Sequence, residues 1–172
     1  MNFFPVFNGA EMGGVAPLFR YWRSAGRNSD HLYTTNAYEI GTVVPGLVGR
    51  HGYRSEGVAC LIYTYKVSDS IPLYRYFGPN NDHFYTTNAK EIGTTTPGQK
   101  GKHNYVSEGA VGYCFPSQRC GTVPLYRYWN PSLGDHLYTN NVDEIGTAAP
   151  GQKGKHGYIS EGVVCNVLAS FQ

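Results

Sequence analysis

The sequence lacks the features by which several large classes of protein are recognised. No apolar run approaches the ~20 residues of a membrane-spanning helix, so we expect no insertion into membranes. Charged residues make up only 15% of the chain and the formal net charge is +2, which gives no compositional case for nucleic acid or an anionic membrane as the main partner. Residues 1–16 have neither a basic start nor an unbroken apolar stretch and are untypical of a secretory signal. We expect a cytoplasmic protein, with unconventional secretion left open.

Common catalytic and zinc-binding motifs are also lacking. The chain has no Gly-x-Ser-x-Gly turn and no His-Glu-x-x-His helix. Its four cysteines form no Cys-x-x-Cys pair. Cys60 and Cys165 occupy the same position in a repeated pattern and are expected to be small buried side chains. Cys114 and Cys120 flank a connector, and a disulfide between them stays open.

What the sequence does contain is one unit that occurs three times. Self-similarity at a period of about 50 residues indicates supersecondary units that bury their apolar faces against one another. A chain of 172 residues suits a single domain. We divide it into an N-terminal extension, 1–16, and three repeats, 17–71, 72–123 and 124–172, called repeats 1, 2 and 3 below.

Each repeat opens with a strand pattern after a proline, as in the Leu-Tyr-Arg-Tyr-Trp of residues 125–129. Alternation puts the Leu, the Arg and the last ring on one face and the two inner aromatic rings on the other. The predicted fold is all-β, with about four short strands and one helical turn per repeat in a β-trefoil-like arrangement. A small three-bladed, propeller-like arrangement is the alternative. Apolar residues of the N-terminal extension are candidates for a strand that closes the ring: Phe3, Phe4, Val6 and Phe7.

A helix-start signal follows the second strand of every repeat. An Asn stands three residues before a Glu and five before a Gly, which is typical of an N-cap with Glu at the third helical position and a stop after about one turn. The predicted caps are Asn36, Asn88 and Asn141, and the glutamates are Glu39, Glu91 and Glu144. Capping gives both sets a structural role.

The series Pro-Leu-Tyr-Arg-Tyr, Asp-His-Leu-Tyr-Thr, Glu-Ile-Gly and Gly-Tyr-x-Ser-Glu-Gly-Val resembles the tandem repeat of an uncharacterised domain family. Such repeats occur in fungal proteins and as accessory modules of secreted bacterial enzymes, some of which act on cell walls. The resemblance covers nearly the whole chain from Pro17 onwards. It implies a carbohydrate-binding accessory module, and assigns no individual residue to a site.

Carbohydrate binding is also the function that the residues themselves favour. A sugar site needs a flat ring for the apolar face of a pyranose and planar polar groups for its hydroxyls. Each repeat supplies an Arg and a terminal ring from its first strand and an Asp-His pair from its second. The predicted ligand-binding residues are Arg20, Trp22, Asp30, His31, Arg75, Phe77, Asp82, His83, Arg127, Trp129, Asp135 and His136. Up to three weak sites on one body would gain by avidity.

A structural interpretation of the same residues stays open. Each Arg is equally suited to a buried ion pair with the Glu of its Ser-Glu-Gly turn, because buried charges are normally paired. These glutamates are Glu56, Glu108 and Glu161. Each His is equally suited to a hydrogen-bonded place inside the fold, with the Asp beside it merely starting the strand.

Two other functions stay open as alternatives. Aromatic rings converging near a central axis would suit a small aromatic ligand or pigment. The connector from Cys114 to Thr122, the chief departure from the repeat, would suit a protease-inhibitor loop.

We expect no enzyme, because every candidate group is present three times whereas catalysis needs one set in distinct environments. We also expect no metal site and no cofactor, and leave oligomerisation open.

Overall fold

The computed structural model describes residues 13–170 and is built from β-strands joined by turns, which confirms the all-β class. The strands are β1 (Val15–Arg23), β2 (Asp30–Thr34), β3 (Arg54–Tyr63), β4 (Ile71–Phe77), β5 (His83–Thr86), β6 (Val106–Cys114), β7 (Thr122–Asn130), β8 (Asp135–Thr139) and β9 (Ile159–Leu168). Single 3₁₀ turns occupy Gly26–Asn28, Arg50–Gly52, Pro79–Asn81, Ala89–Glu91, Lys102–Asn104, Val142–Glu144 and Lys155–Gly157. The predicted closing strand at Phe3 to Phe7 lies outside the described residues. No helix in the described part of the chain is long and apolar enough to cross a membrane.

Each repeat has three strands, so the expected count of about four is wrong. In repeat 1, β1 lies between β2 and β3 and pairs antiparallel with both. The Ser-Glu-Gly segment and the apolar segment after it form one continuous strand, β3, which removes the extra strand. The same order recurs as β5-β4-β6 and β8-β7-β9.

The three repeats meet where their last strands end. Tyr63 of β3 pairs with Tyr113 of β6, and Leu61 of β3 pairs with Leu168 of β9. A further bridge joins Phe115 to Asn166. These contacts connect the nine strands in one antiparallel sheet around a central apolar cluster to which every repeat contributes.

The predicted alternation of the first strand is confirmed in repeat 1. Leu18 is buried in the central cluster, whereas the inner rings Phe19 and Tyr21 pack together in a cluster that belongs to the repeat itself. Register shifts on either side of Phe19 and Arg20 mark small irregularities in the pairing with β3. Arg20 and Trp22 lie on the face of β1 opposite to Phe19 and Tyr21, and this face is turned towards the neighbouring repeat.

The cysteines differ from the sequence-based expectation. Cys60 is fully buried and free, as predicted, and burial raises the pKa of its thiol to about 12. Cys165 is also buried, but it forms a disulfide with Cys114. Their Cα atoms lie 6.1 Å apart because β6 and β9 meet at the centre, whereas Cys120 is exposed and free. The possibility left open, a disulfide between Cys114 and Cys120, does not occur, and the disulfide that does form joins repeat 2 to repeat 3.

The predicted N-caps are confirmed, but the role given to the glutamates is not. The side chains of Asn88 and Asn141 accept hydrogen bonds from the backbone N–H groups of Lys90 and Asp143. Asn36 accepts one from Tyr38 in the same way. The Glu of each turn instead points to the next repeat, where it meets an arginine.

Candidate functional site

The Asp-His motifs connect the repeats to one another. His31 donates its backbone N–H to Oδ1 of Asp135 at 2.8 Å, and its Nδ1 lies 2.7 Å from Oδ2. His83 makes the same contacts with Asp30, and His136 makes them with Asp82. An Asp and the His that follows it in sequence therefore bond different neighbouring repeats: Asp30 bonds repeat 2 and His31 bonds repeat 3. The three pairs of contacts form a closed cycle through all three repeats.

A tyrosine completes the bonding of each aspartate. The hydroxyl of Tyr158 donates to Oδ2 of Asp135 at 2.5 Å, and Tyr53 and Tyr105 donate to the equivalent atoms of Asp30 and Asp82. Burial alone would raise the pKa of Asp135, but the charge of His31 and the bonds from His31 and Tyr158 hold it below its ordinary value.

The three aspartates come together at the centre, where one oxygen from each lies within 4.8 Å of the others. All three side chains are buried. Every oxygen here accepts at least one hydrogen bond from a His or a Tyr. The three buried carboxylates are therefore bonded within a structural network of the described residues.

The Tyr of each second strand forms a second cycle. The hydroxyl of Tyr33 donates to the carbonyl of Tyr138 at 2.6 Å and accepts from the N–H of Tyr138 at 2.8 Å. Tyr85 bonds Tyr33, and Tyr138 bonds Tyr85, in the same two-way manner. Burial raises the pKa of all three hydroxyls well above the ordinary value, so they stay protonated and able to donate.

Sequence reasoning missed this tyrosine ring. The available signal was the Tyr that recurs in the same place in every second strand, directly before Thr34, Thr86 and Thr139. The three tyrosine rings converge at the centre, where the aromatic-ligand alternative would place a ligand. They pack edge to face against one another, and their hydroxyl groups bond one another's backbones.

Each first-strand arginine is held by two glutamates. The Nε of Arg20 lies 2.8 Å from Glu56 of its own repeat, which confirms the predicted pair. Its two terminal nitrogens bind both oxygens of Glu144 in repeat 3 at 3.0 and 2.8 Å. Burial acts to raise the pKa of Glu144, but the hydrogen bonds and charge of Arg20 lower it below its ordinary value.

The other two arginines make equivalent bridges. Arg75 lies between Glu108 of its own repeat and Glu39 of repeat 1, and Arg127 lies between Glu161 and Glu91 of repeat 2. The pKa values of Glu39 and Glu91 are lowered for the same reason, with burial opposing the effect. In these bridges, as in the Asp–His contacts, the acidic side chain of one repeat binds a basic or imidazole side chain of the next. Each boundary between repeats therefore has one Asp–His contact and one Glu–Arg bridge.

The last ring of each first strand stacks on a histidine. Trp22 lies on His31 with centroids 4.3 Å apart, and Trp129 lies on His136 at 4.5 Å. Phe77 takes the same place over His83 at 4.9 Å. The β1–β2 register makes Trp22 and His31 cross-strand partners. Because each His is fixed by an Asp of the neighbouring repeat, each ring has a rigid support.

A cleft of about 320 Å³ opens at the boundary between repeats 3 and 1, and is called the 3/1 cleft below. Repeat 1 contributes Trp22, His31 and Glu56 to its walls. Repeat 3 contributes Leu133, Leu137, Glu144, Ile145, His156 and Tyr158. The cleft thus combines an indole ring, two carboxylates and an apolar floor.

The predicted site residues separate into two groups. The first-strand rings and the histidines come together at the boundaries, with the arginines bonded behind them through Glu56 and its equivalents. Asp30, Asp82 and Asp135 are at most 2% exposed and each supports the histidine of another repeat. The sequence placed Asp30 beside His31 in one site, whereas the structure puts Asp135 there.

His156 is a further residue of the 3/1 cleft that the sequence reasoning left out. It has a φ of 58°, and its equivalents His51 and His103 have 57° and 55°. Non-glycine residues seldom adopt this left-handed conformation, which costs energy and is often found at binding sites. The sequence did contain a signal for this residue, because a histidine occupies the same position after the Gly-rich turn of every repeat.

Comparison with known proteins identifies the family. A model of a domain of unknown function, DUF5648, matches residues 4–100 and 94–168. The chain therefore belongs to the DUF5648 family. No curated protein and no solved structure matches the chain.

Proposed function

We propose that this member of the DUF5648 family binds carbohydrate without catalysis, with its main site at the 3/1 cleft between two of its repeats. The observation that carries the proposal is the 3/1 cleft, in which Trp22 lies over His31 beside Glu56 and Glu144. An indole face suits the apolar face of a pyranose, and carboxylates accept hydrogen bonds from its hydroxyls. A volume of about 320 Å³ is at the small end of ligand pockets and suits one or two sugar rings.

The polar groups of the cleft are held in place before a ligand arrives. Arg20 binds Glu56 and Glu144 together, and Asp135 fixes His31. A ligand that meets groups already in position spends less binding free energy on ordering them. This arrangement supports a recognition surface with fixed directions for its hydrogen bonds.

The electrostatics of the cleft support binding over glycoside hydrolysis. Hydrolysis by a pair of carboxyl groups needs one of them protonated near neutral pH, with a raised pKa. Arg20 lowers the pKa of Glu144, so this group stays a carboxylate that accepts hydrogen bonds. The role we assign to it is recognition of hydroxyl groups.

For the architecture we propose the propeller-like arrangement in preference to the β-trefoil. Each repeat is a three-stranded antiparallel unit with its second strand at the centre of the molecule, where Tyr33, Tyr85 and Tyr138 bond one another in a cycle, and this supports units arranged radially around one axis. The arrangement matters for function because the clefts then lie between neighbouring units, and each site takes its ring from one repeat and part of its wall from another.

A glycan array of the purified protein, followed by titration with any sugar that binds, tests the function. Trp22→Ala should weaken binding at least about tenfold, or ~1.4 kcal/mol, because it removes the ring that covers the sugar face. Tyr38→Ala is the matched control, since it removes a ring that is 82% exposed and lies outside the cleft. A blank array, or equal binding by the Trp22 variant and the control, would contradict the proposal.

An absorption spectrum of the same sample separates the aromatic-ligand alternative. A small aromatic compound could also stack on Trp22, and a pigment carried through purification would absorb at wavelengths above the tryptophan band. We expect no such band. Its presence, together with its loss in the Trp22→Ala variant, would favour the alternative for the same cleft.

A further inference from the structure

Repeat 1 carries an apolar surface that the other repeats lack. It is formed by Tyr38 and by four residues around the Pro45-Gly46 turn, namely Val43, Val44, Leu47 and Val48, and is called the repeat 1 loop below. Tyr38 is 82% exposed, and Val44, Leu47 and Val48 are each more than half exposed. Five of the large exposed apolar side chains of the described chain are thus gathered in one short segment.

The same segments of repeats 2 and 3 are polar or small at these positions. Leu47-Val48 corresponds to Gln99-Lys100 and Gln152-Lys153, and Tyr38 corresponds to Lys90 and Asp143. Val43-Val44 corresponds to Thr95-Thr96 and Ala148-Ala149.

The backbone of the turn is nevertheless the same in all three repeats. Gly46 donates to the carbonyl of Ser55 at 2.8 Å, as Gly98 does to Ser107 and Gly151 does to Ser160. Folding therefore does not require the apolar side chains, and large exposed apolar side chains that are concentrated in one short segment are typical of a site of interaction.

Two arginines stand beside the loop. The guanidinium of Arg50 donates to the carbonyl of Tyr38 at 2.6 Å, and that of Arg54 donates to the carbonyl of Gly46 at 2.5 Å. Both side chains are exposed, and neither contacts a carboxylate among residues 13–170. The nearby Glu39 is already bound by Arg75. The surface is therefore apolar at its tip and positively charged at its edge.

We propose that the repeat 1 loop docks on an anionic lipid surface. A tyrosine, aliphatic side chains and flanking arginines are the composition that lies well at a membrane interface, with the apolar groups among the acyl chains and the guanidinium groups near lipid phosphates. A second copy of this chain fits less well, because a symmetric contact through the same surface would bring Arg50 and Arg54 of both copies together. The near-neutral net charge of the whole chain conceals this local pattern.

Co-sedimentation with vesicles of phosphatidylcholine, with and without phosphatidylserine, tests the proposal. The wild-type protein should sediment with the vesicles that contain phosphatidylserine, and added salt should weaken the binding. The variant Leu47→Gln/Val48→Lys should bind at least about tenfold less, because the loss of two apolar groups that the lipid contact would bury outweighs the attraction of the one added lysine. This variant gives repeat 1 the residues that repeat 2 carries on the same backbone, so it is expected to fold.

Two further variants make the test specific. Arg50→Gln and Arg54→Gln should each weaken binding about fivefold, and only to vesicles that contain phosphatidylserine. Val163→Ala is the matched control, because Val163 is exposed in repeat 3 and repeat 2 carries Ala110 at its position. It should leave binding unchanged.

Three results would overturn the proposal. One is no sedimentation of the wild-type protein with either vesicle, and another is sedimentation that Leu47→Gln/Val48→Lys leaves unchanged. The third is a wild-type dimer, measured by light scattering, that becomes a monomer in that variant without vesicle binding, which would assign the loop to a second copy. None of these results depends on sugar binding at the 3/1 cleft.

Discussion

The centre of the molecule and the boundaries between its repeats are built from the same three repeats, yet they have diverged to different extents. At the centre, the Asp, the His and the Tyr of each second strand are identical in all three repeats. At the boundaries, Phe77 replaces a tryptophan, Phe84 replaces a leucine, and the turn before each second strand has a different length.

Reciprocal bonding explains the difference. Each central side chain bonds a neighbour and is bonded in turn, so one change leaves at least two buried groups without partners. A ring such as Trp22 packs against one histidine and lines the 3/1 cleft, so a change of ring leaves no buried polar group without a partner. The side chains that bond between repeats are therefore kept identical, including His31 and Glu144 of the 3/1 cleft, as is Glu56 in the same cleft, whereas the stacked ring and the turns beside it are free to change a specificity.

The largest effect should come from breaking the centre at Asp135. Asp135→Ala leaves the Nδ1 and backbone N–H of His31 and the hydroxyl of Tyr158 without their acceptor. Each buried donor left without an acceptor costs about 1–3 kcal/mol, so urea unfolding should show a loss of about 3 kcal/mol or more. Asp143→Ala, at an exposed position, is the control and should change stability by less than about 0.5 kcal/mol. Equal stability of the two variants would show that the central network contributes little.

Much of the local structure is predictable from the sequence. The second strands, which the sequence analysis places at the Asp-His pairs, are present as β2, β5 and β8, since their pattern and the Asn caps are local signals. The pairing of Arg20 with Glu56 also follows, because buried charges need partners and both residues belong to one repeat. Once β1 and β2 pair as a hairpin, Trp22 and His31 become neighbours as well.

The contacts between repeats are what the sequence does not reveal. His31 bonds Asp135, which is 104 residues away, whereas Asp30 is adjacent in sequence. A periodic pattern looks the same whether a contact forms within a repeat or between repeats, so it cannot decide between these two aspartates. The disulfide between Cys114 and Cys165 was missed for a related reason, since Cys114 stands two positions beyond Gly112, the residue that matches Cys165 in repeat 2.

A smaller effect should come from opening the tyrosine ring at one place. Tyr85→Phe removes a hydroxyl that donates to the carbonyl of Tyr33 at 2.8 Å and accepts from its N–H at 2.7 Å. Leaving buried backbone groups unsatisfied costs about 1–3 kcal/mol, and thermal or urea unfolding will measure the loss. Tyr38→Phe should have no measurable effect, because its side chain is exposed. A Tyr85 variant as stable as the Tyr38 variant would indicate that water replaces the lost hydroxyl.

The smallest effect should appear as a dependence of stability on pH, and it tests the boundary bridges rather than the centre. The pKa of Glu144 is lower in the folded chain than its ordinary value of 4.5, so folding favours its ionised form. The stabilisation is complete above about pH 4.5 and is lost as the pH falls through the lowered value. The pKa values of Glu39 and Glu91 are lowered in the same way at the other boundaries.

Urea unfolding at a series of pH values should show the free energy of unfolding decreasing below about pH 4.5. Glu144→Gln should be less stable than wild type at pH 7 and should lose less stability on acidification, because one titrating bridge is gone. Equal slopes for wild type and Glu144→Gln would assign the acid sensitivity to other groups with a lowered pKa, namely Asp135, Glu39 and Glu91. The Arg20–Glu144 bridge would then add little to stability, and its charge would serve recognition.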